Sequence, residues 1–441
     1  MFKTLKNAIK TPDVRKKLLY TLLLIVIFRL GCYITVPGVN AFKLAETFEG
    51  QTGLASMIDL ISGGAFTRFS IFAMSITPYI TAQIVIQLLA MIIPSLEKLT
   101  KEGGEEGRQK ISFYTKILAI VLSFVESLGI YLSYRSTPGL FVDSWMTPII
   151  VIGSFIAGTA ILMWLGEEIS SKGIGNGISV IIFVGIIAGL PKAVSSIWTG
   201  LVMANGTFST TGLLGALGIL LLAILLVTAV VFIQSGERRI PVQYSKKVVG
   251  RKMVGAQNTN IPLKVAMAGV MPIIFASSFM TFPAMIIQII DKDIASHTGF
   301  WNVIYNLSLA TSSTQPGVGY AIANAIIYLL LIVGFTFFYT YATFNPAEVS
   351  ANIRKNGGFI PGIRAGSPTT EYLKGVISKL TIFGGLFLAV IAILPMALRF
   401  VPNVDLTFGG TAILIVVGVA LETVDQLESQ LVMRHYKGFL R

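Results

Sequence analysis

The chain has 441 residues, of which 54% are hydrophobic and only 12% charged, against about a quarter charged in an ordinary soluble domain. That deficit excludes a string of water-soluble domains and makes the bilayer the solvent. The formal net charge of +13, from 34 Lys plus Arg against 21 Asp plus Glu, raises nucleic acid as a partner, so the placement of the charge decides. A single cysteine, Cys32, and two histidines, His297 and His435, allow no intramolecular disulfide and cannot by themselves build a metal site.

A helix needs about 20 apolar residues to cross roughly 30 Å of hydrocarbon. Ten stretches meet that length: 18–36, 74–93, 113–134, 147–165, 178–197, 213–233, 265–290, 318–340, 376–398 and 408–427. They predict an all-α polytopic membrane protein. The first follows a basic leader with Lys3, Lys6, Lys10, Arg15, Lys16 and Lys17. Its apolar run is too long for a signal peptide and lacks a small-residue cleavage pattern before Pro37, so it reads as a retained first helix.

Between the first two stretches lies MIDLISGGAFT, residues 57–67. As a helix it would cover about 16 Å, too little to cross. With Asp59 and the pair Gly63-Gly64 inside it, it is a candidate half-helix or re-entrant piece, tolerated at membrane depth where protein or water covers its backbone; an amphipathic helix lying at the interface is the competing reading. GIGNG at 173–177 matches neither phosphate-loop nor dinucleotide spacing and follows no strand, so it reads as a tight turn opening the fifth span. Two connections are long. Residues 234–264 alternate, with Ile240, Val242 and Tyr244 on one face, as an extended hairpin does. Residues 345–378 carry a capped helix start at Asn345-Pro346, a Gly357-Gly358 stop, the turn PGIRAG at 361–366 and a second start at Ser367-Pro368. Such internal structure suits a docking partner; a solvated basic loop is the alternative.

Short loops rich in Lys and Arg remain cytoplasmic. Assigning alternate gaps to opposite sides places 27 basic residues on the side of the N-terminus, six on the other and Arg29 within the first span. With the acidic residues included, the two sides carry +14 and −1. The charge is therefore a topology signal with both termini cytoplasmic, and nucleic acid is not required. Apart from Lys116, Lys192, Lys379, Glu422 and Asp425 near span ends, only Arg29 and Glu126 lie inside the spans, a poor basis for ion coupling; Arg29 can snorkel or bind neighbouring carbonyls, and Glu126 can hydrogen-bond across a helix interface. HExxH, GxSxG and a credible pair of intramembrane aspartates are all missing, which disfavours an intramembrane protease.

The motifs assembled along the chain resemble the SecY/Sec61-alpha family of protein-conducting channels. The resemblance rests on FRLG at 28–31 with Pro37-Gly38, SGGAFTRFSIFAMSITPYITAQIVIQLL at 62–89 and EGGEEGRQKIS at 102–112. It continues with MWLGEEISSKGIGNGIS at 163–179, the loop 236–264, FNPAEVSANIRKNGGFIPGIRAG at 344–366 and FGGT at 408–411.

The resemblance implies two pseudo-symmetric halves of five helices, 1–212 and 213–441, around a central pore. By motif it places a ring of apolar side chains at Ile76, Ile80, Ile178, Ile182, Ile274 and Ile415. It assigns the short segment as a plug, comprising Met57, Ile58, Asp59, Leu60, Ile61, Ser62, Gly63, Gly64, Ala65, Phe66 and Thr67. A lateral gate between spans two and three and spans seven and eight would have Thr81, Gln87 and Glu126 near it; Ala266 stands where bacterial relatives commonly carry asparagine, so no polar bridge from span seven is assumed. The two long loops would dock the ATPase motor SecA or a ribosome through Arg251, Lys252 and Arg364. The small subunits SecE and SecG, secretory and membrane-protein precursors and the bacterial plasma membrane complete the implied setting, with no enzymatic activity, cofactor or DNA binding. A small-solute transporter with one broken helix is the alternative, and a structural membrane anchor a third.

Overall fold

The structure, a computed structural model, describes residues 8–40, 43–44, 59, 62–101, 103–135, 137–203, 209–244, 247–249, 252–254, 258–290, 299–309, 318–398 and 410–438. Each of the ten apolar stretches falls on a helix. In the first part of the chain these are α1 (Pro12–Gly31), α2 (Thr77–Ile92), α4 (Gly104–Tyr134), α5 (Thr147–Lys172) and α6 (Gly177–Ile197), with the short α3 (Pro94–Lys101) after α2. After α7 (Thr210–Gln234) come β1 (Glu237–Tyr244), β2 (Lys247–Val249), β3 (Lys252–Val254) and β4 (Asn258–Lys264). The chain continues through α8 (Met271–Ile290), α9 (Phe300–Leu309), α10 (Val318–Thr343), α11 (Pro346–Lys355), β5 (Gly358–Phe359), α12 (Ser367–Leu398) and α13 (Gly410–Gly438).

Proline sets several of these starts. α1, α2, α5 and α11 carry it in their first two positions, where its missing N–H would have had no helical partner. The same residue ends α2: Pro94 disfavours helical backbone at Ile93, which is extended at φ −94° and ψ 113°, and α3 leaves at 107° to α2.

By length and composition, six helical stretches among the described residues are suited to crossing a membrane: α4, α5, α6 with the π-helical turn that follows it, α7, α10 and α12. The bent pair of α2 and α3 makes a seventh if it counts as one span. α1 carries Arg15, Lys16, Lys17 and Arg29, and α13 carries Glu422, Asp425 and Glu428. The apolar part of α8 is the shorter Met271–Ala284.

α8 packs against α2 and α4 on one side and α10 on the other, and α13 packs against α6, α7 and α12. Leu214, Leu221 and Phe232 leave α7 exposed, a face that suits lipid better than water.

Both long connections fold at one end of the bundle, here the loop end. β1 pairs antiparallel with β4 from Glu237↔Lys264 to Gln243↔Asn258, and β5 adds to the other edge of β1 through Gln243↔Phe359. The two loops thus share one sheet in the order β4-β1-β5. β2 and β3 form a separate hairpin. Ile240 and Val242 face inward as the alternation predicts, joining Leu263, Ile353, Ile360, Leu373, Val376 and Ile377 in a small core. Asn345 caps α11 by accepting from the amides of Ala347 and Glu348 at 3.1 and 3.5 Å, and Gly357 takes φ +71° at its end.

At the opposite, far end, the strand-like run 33–36 bonds the chain that enters α2: Val36 N–H donates to Phe69 O at 2.9 Å and Ile71 N–H to Ile34 O at 3.0 Å. Phe69 is fully buried among Phe66, Tyr134, Phe141 and Phe155.

Candidate functional site

Isoleucines from four helices meet in one apolar cluster, to which α1 and α5 also contribute. α2 brings Ile80 and, at its N-cap, Ile76; α6 brings Ile182; α8 brings Ile274; α13 brings Ile415. They are between 0% and 8% exposed. Ile178 is half-buried and packs at the edge of this cluster, with its side chain beside Gly166 of α5. Ile186, one helical turn beyond Ile182, is 1% exposed within the cluster. The motif match did not single out Ile186, although the i, i+4 spacing from Ile182 puts it on the same face. The isoleucine side chains offer no hydrogen-bonding group, so where they meet they exclude water without selecting a polar ligand.

The segment 57–67 is described at Asp59 and from Ser62 onward; Met57, Ile58, Leu60 and Ile61 lie outside the described residues. The described part closes on itself. The Asp59 carboxylate accepts from the Thr67 amide at 2.9 Å and its hydroxyl at 3.0 Å, while Ser62 Oγ accepts from the Phe66 amide at 3.1 Å. Gly63 and Gly64 take φ +66° and +85°, a region open to glycine at little cost. Ser62, Gly63, Ala65 and Phe66 are buried, and Ala65 belongs to the same cluster as the isoleucines.

Glycines on three helices make this seat, and sequence reasoning missed all three. A Cβ on Gly31 of α1 would overlap the Phe72 ring; one on Gly158 of α5 would strike the Ile71 carbonyl; and the backbone of Gly185 in α6 lies against Gly63. Small residues that admit a close backbone approach are the available signal in an apolar helix, but glycines are common along this chain and nothing in their spacing selects these. Arg29 donates from Nη1 to the Gly63 carbonyl at 3.1 Å, so it binds a neighbouring carbonyl, one of the two expectations for it.

The residues expected beside a lateral opening are less connected. Thr81 is buried, and its hydroxyl donates to the Thr77 carbonyl of its own helix at 3.1 Å. Gln87 buries Oε1 without a hydrogen-bond partner among the described residues. Glu126 is 5% exposed on α4; on that helix Ser123 bonds Thr159 of α5 at 3.2 Å. Ala266 is 6% exposed in the turn before α8. α8 packs against both α2 and α4.

At the loop end Arg251 lies outside the described residues, and Lys252 opens β3 opposite Val249. Arg364 is exposed on a stapled turn: Thr369 Oγ1 donates to the Arg364 carbonyl at 2.8 Å and Ser350 Oγ to the Gly366 carbonyl at 3.0 Å. The GIGNG turn opens α6 as expected, and its amides are spent within the protein. Ile174 N–H donates to Thr21 Oγ1, Gly175 N–H to Gln426 Oε1 and Gly177 N–H to Ser170 Oγ. A phosphate cradle needs such amides free; here they tie α1, α5 and α13 together.

A family model described as SecY matches residues 70–424. The protein translocase subunit SecY of Streptomyces coelicolor is 43% identical over 458 aligned positions, spanning 100% of both chains. Among solved structures, a protein-conducting channel aligns with a TM-score of 0.64 at 22% identity, covering 94% of this chain and 92% of that one. Sec61 in a canine ribosome-channel complex aligns with a TM-score of 0.62 at 21% identity, with the same coverage. At such identities the structures speak to the fold, and the sequence relatives carry the family. The chain belongs to the SecY family.

Proposed function

We propose that the chain is the channel-forming subunit of a protein translocase, which passes unfolded secretory polypeptides across the plasma membrane and releases apolar membrane segments sideways into lipid. The observation that carries this reading is the convergence of isoleucines from α2, α6, α8 and α13 on one cluster, with Ala65 of the short segment packed into it. An apolar constriction excludes water and ions by dewetting when closed. Because it has no fixed hydrogen-bond partners, it does not trap one peptide sequence.

In this reading ten helices span the bilayer in two halves, 1–212 and 213–441, with both termini and the loop end cytoplasmic. Ile76, Ile80, Ile178, Ile182, Ile274 and Ile415 line the constriction, with Ile186 a further contributor. Residues 57–67 are the plug on its outer side. The lateral gate is the seam where α8 meets α2 and α4, near Thr81, Gln87 and Glu126. Opening it separates apolar helix faces that lipid or a signal sequence can cover. The chain supplies passage rather than force. SecA or a ribosome docks on the sheet and the turn carrying Arg364, with Arg251 and Lys252 at the hairpin, while SecE and SecG complete the membrane complex.

The test is ATP-dependent import of a secretory precursor into vesicles holding this chain with SecE, SecG and SecA. Import that needs both the chain and ATP is the expected result. Its absence with a folded chain and active partners overturns the proposal, and solute flux without a motor would favour a transporter.

A further inference from the structure

Arg29 is the only charged residue of α1 beyond Lys17, and it is half-buried. Its guanidinium reaches the Gly63 carbonyl, in a space that admits no side chain. A Cβ at Gly63 would lie 2.7 Å from Arg29 Nη1 and 2.6 Å from the Gly185 carbonyl oxygen of α6. Just past the end of α1, the Tyr33 ring takes two cations: the guanidinium carbon of Arg29 is 5.8 Å from its centroid and that of Arg68 is 4.1 Å. Tyr33 therefore links α1 to the residue that follows Thr67.

The two flanks of this site are held differently. Downstream, the chain is bonded to 34–36 and seated in the notches at Gly31 and Gly158. Upstream, among the described residues, the Asp59 carboxylate accepts from both the amide and the hydroxyl of Thr67, the Asp59 carbonyl accepts from the Gly64 amide at 3.0 Å, and the Gly63 carbonyl takes the bond from Arg29. Gly63 and Gly64 therefore lie inside a turn that Asp59 closes, and Arg29 bonds that turn to α1. A hydrogen bond from a charged donor is stronger than one between neutral groups, more so away from water.

We infer that Arg29 is the latch of the plug. Its guanidinium, beside the Tyr33 ring, keeps Gly63 seated against α6 in the resting channel, and opening releases that carbonyl. The inference rests on the plug reading and deepens it by naming the side chain that sets the resting seal.

The experiment measures resting ion conductance of the full chain with its small membrane subunits in planar bilayers, without motor or precursor. Arg29→Met should raise the open probability about tenfold or more, the worth of one charged hydrogen bond, and Arg29→Lys should restore part of the seal. Deletion of 57–67 should leak as well, and adding Arg29→Met to the deletion should change nothing further. A leaking deletion beside a tight Arg29→Met overturns the latch and leaves the plug standing. A deletion that stays tight overturns the plug reading itself, and an added leak in the combined variant shows that Arg29 acts elsewhere. If Arg29→Met does not assemble, Tyr33→Leu at a ring 60% exposed carries the test: a smaller leak of the same kind supports the latch, and wild-type conductance overturns it.

Discussion

The central cluster and the loop-end core are both small apolar assemblies, but they are held in opposite ways. Around the isoleucines of α2, α6, α8 and α13 the contacts are non-directional; the Thr81 hydroxyl is satisfied within its own helix, Gln87 Oε1 has no partner among the described residues, and the directed bonds of Arg29 and Tyr20 lie at the margin of the cluster. At the loop end, Ile240, Val242, Ile353 and Leu373 are fixed by a three-stranded sheet, an Asn cap and a turn pinned by Ser350 and Thr369. A contact made only of dispersion and water exclusion can part and reclose around many guests. One built on directed hydrogen bonds presents a surface of set shape, as a docking site requires.

That contrast can be broken from either side. The largest effect is expected at the rigid end. Arg364→Glu puts a negative charge on the exposed turn, and like-charge juxtaposition at an interface costs several kcal/mol. Motor binding should fall about a hundredfold or more, with import lost and thermal unfolding unchanged; normal import by the purified variant would remove Arg364 from the docking surface. A smaller effect is expected in the centre. Ile182→Asn places an amide among groups that cannot bond it, a cost of about 1 to 3 kcal/mol, and should wet the constriction and raise resting conductance several-fold. Ile182→Val, at about 0.5 to 1.5 kcal/mol, should leave the channel tight. If both variants conduct alike, the seal is not a matter of dewetting.

These two regions were also unequally legible. The loop end was readable because its devices are local: Asn345 before Pro346, Gly357 at the stop and the alternation of Ile240 and Val242 each act within a few residues. Its shared sheet was not, since β5 is two residues long and pairs across more than a hundred positions. In the centre, ten apolar lengths and the turn at 173–177 were visible, but isoleucine at i, i+4 is ordinary packing in any apolar helix, and only motif resemblance singled out these positions. Ile186 followed from the same spacing yet had no motif to mark it. The seat at Gly31, Gly158 and Gly185 and the carbonyl that Arg29 binds are tertiary facts, set by where backbones meet.

The smallest effect sharpens the rigid side of the comparison. Asn345 Oδ1 accepts two of the amides at the start of α11, and replacing such a cap with Ala costs about 1 kcal/mol. Asn345→Ala should therefore speed hydrogen exchange in the first turn of α11 about fivefold. Because Ser350 of α11 holds the Gly366 carbonyl, the loosening should reach the PGIRAG turn and weaken motor binding in proportion. Asn345→Asp keeps the acceptor and adds a charge that favours a helix N-terminus, so it should restore protection. Unchanged exchange in Asn345→Ala would mean that Ile353 and Ile360 in the loop-end core, rather than directed bonds, hold α11. The two cores would then differ less in kind than in the length of the helices that feed them.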